Sequence, residues 1–97
     1  MKIRFDWNAT KAITNEEKHG VSFLVAITAF DDPYALIECD EEHSTTNEIR
    51  ESLIGEAIPG VLVVIFTIRE KGSVYRIISA RRANRKERKL YEKAKRI

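Results

Sequence analysis

The segment VLVVIFTIREKGSVYRIISARR, residues 61–82, decides the fold. Residues 61–68 are apolar at every position except Thr67, the composition of a central strand covered on both faces. Lys71 and Gly72 supply a tight turn, because glycine tolerates the positive φ that short hairpin loops demand, and Val74 to Ala80 returns as a second strand. With Lys71–Gly72 or Glu70–Ser73 as the loop, facing residues sum to 143, which sets Thr67 opposite Arg76 and Ile65 opposite Ile78. Side chains alternate across a sheet, so Leu62, Val64, Phe66, Ile68, Tyr75 and Ile77 share one face, expected to meet helices. Thr67, Arg69 and Arg76 share the other beside smaller apolar residues, and Arg81 lies where the last strand leaves the sheet. Guanidinium forks match phosphate oxygens, and donors held on a rigid sheet suit a developing charge. The plainer reading of the same pattern is a surface arginine paired with an acid of the N-terminal half.

Working outward, Ile3, Phe5 and Trp7 alternate with Arg4 and Asp6, the period of a half-buried strand. Asn8 or Asp6 caps a helix that runs to about Lys18 and ends at Gly20. Ser22 caps a second, in which Phe23, Ala26, Ile27 and Phe30 recur at helical spacing until Asp31, Asp32 and Pro33 stop it. Tyr34 to Cys39 reads as a strand, DEEHSTTNE as an exposed loop and Ile49 to Ala57 as a further strand. Asn84 and Glu87 have the spacing of a capping box, so a helix from about Arg85 to Lys95 follows. The expected class is α+β, an antiparallel sheet with two N-terminal helices packed on it and one C-terminal helix, in a single domain over residues 1–97.

The formal net charge of +2 conceals a division along the chain. Residues 1–68 hold five Lys and Arg against twelve Asp and Glu, a balance of −7; residues 69–97 hold twelve against three, a balance of +9. Such a gradient attracts a polyanion even when the whole molecule is nearly neutral, although a solvated basic helix has the same composition. The longest apolar run is far too short to cross a bilayer, and the N-terminus lacks the apolar core of an export signal, so the cytoplasm is expected. The single cysteine, Cys39, has no second thiol for a disulfide or a zinc site.

Several motifs in order then resemble the BrnT toxin family. They are FDWN at 5–8; Lys11, Asn15 and KHGVSF at 18–23; the F-x-D-P turn at 30–33; E-x-R and I-G within 48–55; and RIISARRANRKERKLYE at 76–92. Asn8 stands where an aspartate is common in that family, and the capping role survives the exchange. The resemblance implies a RelE-like fold, a ribonuclease that arrests translation, and neutralisation by a BrnA-like antitoxin bearing a ribbon-helix-helix domain. Any contact with DNA would run through that antitoxin.

RNA supplies its own nucleophile, the ribose 2′-hydroxyl, so a metal-independent ribonuclease needs a base, an acid and positive charge at the phosphate. Arg69, Arg76 and Arg81 are the candidates for the phosphate. His19 is the candidate acid or base, although a histidine before a helix-ending glycine also suits the helix dipole. Lys18, Arg82, Arg85, Lys86 and Tyr91 are the candidate RNA contacts, with packing on the sheet as the alternative for Tyr91. Glu87 is a possible base that its capping-box position also explains. The carboxylates at 40–42 beside His43 read as a solvated loop, and neither metal nor cofactor is expected. The competing function is a non-catalytic nucleic-acid-binding module using the basic C-terminal region.

Overall fold

A computed structural model describes residues 3–96, so the two ends of the expected domain lie outside it. Its elements are β1 (Arg4–Trp7), α1 (Ala9–His19), α2 (Phe23–Ala26), β2 (Leu36–Cys39), β3 (Arg50–Ala57), β4 (Gly60–Arg69), β5 (Val74–Arg82) and α3 (Arg85–Lys95). They form an α+β fold with one five-stranded sheet in the order β1-β5-β4-β3-β2. The sheet is mixed rather than antiparallel: β1 runs parallel to β5, while every other neighbouring pair is antiparallel. A parallel pair requires a long connection, and here residues 8–73 separate β1 from β5.

The helix ends follow the capping chemistry. Asn8 accepts a hydrogen bond from the Lys11 N–H, and Gly20 ends α1 at φ 70°, a conformation that disfavours a Cβ. Ser22 caps α2, but only Phe23–Ala26 is α-helical, and Ile27–Asp31 tightens to a 3₁₀ turn. That shortening corrects the expected helix to Phe30. The Thr28 hydroxyl donates to the Val25 carbonyl at 2.6 Å, and β-branched Val25, Ile27 and Thr28 crowd a regular helix.

The hairpin register holds at Arg69↔Val74, Thr67↔Arg76 and Phe66↔Ile77, then slips so that Ile65 faces Ser79. Ile78 is therefore a bulge rather than the partner of Ile65. The slip reverses the alternation beyond it: without the bulge Arg81 would face Leu62 on the apolar side, whereas it pairs with Val63 and shares the face of Arg76. The turn itself is left-handed at Glu70, Lys71 and Gly72.

Each sheet face has its own core. Leu62, Val64, Phe66, Ile77 and Ala80 pack with Val21 from the link after α1 and with Phe23, Ala26 and Ala29 from the helical segments that follow. Val63 and Ile54 pack on the opposite face with Ala83 and Tyr91, the latter from α3. Beyond Trp7↔Ile77 the outer edge of β5, away from β4, has no strand beside it, and the buried Asn15 of α1 takes that place. Its carboxamide donates to the Ala80 carbonyl (2.8 Å) and accepts from the Ala80 N–H (3.1 Å), as a neighbouring strand would, and it also donates to the Val21 carbonyl (3.1 Å).

Tyr91 is fully buried, and its hydroxyl donates to the Asp32 carboxylate, which also accepts from the Tyr34 and Glu56 N–H groups. The expected base contact at Tyr91 is corrected accordingly: the helical period turns this ring into the core, away from any nucleotide. Burial raises the Asp32 pKa, but the Tyr91 hydroxyl and the two backbone donors outweigh it and hold the carboxyl below its usual value. The charged form is thus favoured by folding, so this stabilisation is present above about pH 4 and is lost as pH falls through the depressed folded value. Tyr91→Phe should cost about 1 kcal/mol near neutrality and leave RNA cleavage unaltered. Thermal melts at neutral and acidic pH check this, the gap between wild type and variant narrowing in acid.

Candidate active site

Near α3 the second sheet face is closed by packing; farther along, it is open and carries the arginines. A cross-strand row places Arg50 of β3, Thr67 of β4, Arg76 of β5 and Asp6 of β1 side by side. Strand spacing puts the Arg50 and Arg76 backbones about 10 Å apart. Arg76 donates from Nε and Nη2 to the two Asp6 oxygens at 3.0 and 3.3 Å, which raises its pKa and fixes its plane. Glu48 accepts from Arg50 Nε at 3.0 Å and from Arg69 Nη2 at 3.3 Å. A guanidinium has five N–H donors, so these pairings orient the arginines without exhausting them.

Next to this row a groove of about 540 Å³ crosses the sheet. Ser52, Ile65 and Ser79 lie across three strands at its centre, Arg50 and Arg81 line it, and the loop after β2 contributes Asp40 and His43. Arg81 and Glu87 form a bidentate pair at 2.7 and 2.8 Å, while Glu87 also accepts from the Asn84 N–H to complete the capping box of α3. The Arg81 hydrogen bonds hold the Glu87 carboxyl below its usual pKa against the opposing effect of burial, and the same pairing raises that of Arg81. At neutral pH the groove therefore presents a fixed guanidinium beside an ionised carboxylate.

The sequence candidates divide by location. Arg81 lines the groove, whereas Arg76 and Arg69 lie beyond it on the same face. Lys18 and His19 line a separate recess with Thr10 and Thr14 at the sheet edge, and the bulge residues Ile78 and Ser79 border both hollows. Arg82 donates to the Pro59 carbonyl at 2.8 Å and so braces the β3–β4 turn, while Arg85 and Lys86 are exposed on the first turn of α3. Arg50, Glu48, Asp40 and His43 were absent from the sequence-derived site. The E-x-R motif at 48–50 signalled Glu48 and Arg50, and the acidic run beside His43 was visible but read as a solvated loop; the return of the β2–β3 loop onto the groove was not legible. Among the described residues no group of three or more His, Cys, Asp or Glu side chains is arranged to hold a metal, and no helix is long and apolar enough to cross a membrane.

The groove sets Arg50 and Arg81 among four carboxylates and the His43 imidazole, a mixture of charges and proton carriers suited to acid–base chemistry at a phosphate. The family comparison is specific: residues 7–87 match the model described as ribonuclease toxin, BrnT, of type II toxin-antitoxin system, and the chain belongs to that family. Membership implies an RNA target and an antitoxin partner. A search of the curated proteins finds no match.

Proposed function

We propose that the chain is a metal-independent endoribonuclease of RelE-like fold, one domain over residues 1–97, that cleaves RNA in the cytoplasm and arrests translation. A BrnA-like ribbon-helix-helix antitoxin silences it, and DNA is reached only through that partner. The observation that carries this reading is the Arg81–Glu87 pair in a groove shared with Arg50. Arg81 and Arg50 hold the scissile phosphate and offset charge gathering on its oxygens, and the Glu87 carboxylate accepts the proton of the 2′-hydroxyl. Arg76, Arg69, Arg85 and Lys86 extend the positive surface along which the strand lies, and the antitoxin covers this surface.

Incubation of the purified protein with RNA, with and without EDTA, tests the reading. Cleavage leaving 2′,3′-cyclic phosphate ends and unchanged by chelation is expected. Salt-sensitive binding without scission would support a binding module instead, and loss of cleavage in EDTA would remove metal independence. Simultaneous binding of RNA and antitoxin without competition would overturn the proposed mode of silencing.

A further inference from the structure

The loop between β2 and β3 is tied down rather than loosely solvated. The Ser44 hydroxyl donates to the Asp40 carbonyl at 2.6 Å and accepts from the Arg50 N–H at 2.8 Å, while the Asp40 N–H donates to the Arg50 carbonyl at 2.8 Å. These bonds join the first residue of the loop and its middle to Arg50 at the start of β3. Asp40 is thereby held with its side chain only 15% exposed, and both its oxygens lie 3.0–3.1 Å from Nδ1 of His43. Among the described residues Nε2 of His43 makes no hydrogen bond, and His43 lines the same groove as Arg50, Arg81 and Glu87.

We propose that His43, oriented by Asp40, is the general acid of RNA cleavage and that Asp40 is its positioning residue; this rests on the ribonuclease reading above. Protonated imidazole carries an N–H on each nitrogen, so Nδ1–H donates to Asp40 and Nε2–H is directed to the substrate. In the step, the 2′-oxygen bonds to phosphorus as its proton passes to the Glu87 carboxylate. The P–O5′ bond breaks with its electron pair on O5′, and the Nε2 proton moves to that oxygen. The products are a 2′,3′-cyclic phosphate and a 5′-hydroxyl, and solvent returns the proton from Glu87 to His43. The assignment draws acid and base from two different elements that line one groove, His43 from the β2–β3 loop and Glu87 from α3.

The test uses an oligoribonucleotide containing a cleavage site of the wild-type protein and a second oligonucleotide in which sulfur replaces the bridging 5′-oxygen there. A thiolate leaves without protonation, so it bypasses the acid. His43→Ala and His43→Gln should slow cleavage of the ordinary RNA on the order of 10²-fold or more, yet change the sulfur substrate by less than about threefold. Asp40→Asn should show the same selectivity with a smaller loss, a pattern that a general structural defect cannot produce. Equal losses on both substrates, or no loss on ordinary RNA, would overturn the assignment while leaving the ribonuclease reading in place. A folded wild-type protein that cleaves neither substrate would remove the ribonuclease reading itself, and the acid with it.

Discussion

Arg81→Ala is expected to slow RNA cleavage on the order of 10²-fold or more, the loss that follows removal of one positioned donor from a developing oxyanion. Its backbone is paired with Val63 near the end of β5, its plane is fixed by two bonds to Glu87, and the bulge at Ile78 turns it into the groove. The variant also leaves the largely buried Glu87 side chain with the Asn84 N–H as its remaining partner, a stability cost of about 1 kcal/mol. Arg81→Lys keeps the charge but not the fork, so it should recover little of the rate. Arg76→Ala and Arg69→Ala, outside the groove, should lose less, and Lys95→Ala should only weaken binding and flatten its salt dependence slightly. Single-turnover rates and melting temperatures in one buffer make the comparison. Uniform small losses across all four sites would replace a positioned arginine with diffuse basic attraction.

Asn15→Ala should destabilise the fold by about 3 kcal/mol or more, because it strips partners from the N–H and carbonyl of Ala80 and from the carbonyl of Val21 together. For a chain of this size that is a fall of roughly 10–20 °C in melting temperature. Asn15→Asp separates the contributions: it keeps an acceptor for the Ala80 N–H but turns a carboxylate toward two carbonyls, so it should be no better tolerated. A variant melting within about 2 °C of wild type would mean that water readily replaces the carboxamide along β5.

Much of the architecture was legible because local signals agreed with one another. The apolar run at 61–68, the alternation in residues 3–7 and the caps at Asn8, Ser22 and Asn84 each correspond to an observed element. The parallel placement of β1 was not legible, since alternation reveals which residues share a face but not which strand lies beside them. Nor was the bulge: Ile78 is apolar and fits an unbroken strand, yet its insertion decides where Arg81 points. Arg69 and Arg76 could be placed on one sheet face from the hairpin alone, whereas Arg81 depends on the bulge, and Arg50 and His43 depend on contacts that bring β3 and the preceding loop onto that face. Tyr91 and His19 show the converse, chemically suggestive residues that the fold directs into a core or toward another recess.

The union of β1 with β5 has a consequence for the order of synthesis. The groove needs Arg81 and Glu87, and β5 needs both β1 and Asn15 along its outer edge. A growing chain that has not passed residue 87 has translated the acidic half of the molecule and has no paired Arg81. Such contacts between distant residues form late, after the long intervening loop has closed. Interrupted translation therefore yields fragments without the assembled groove, which is complete only once residue 87 has emerged and folded back onto β5.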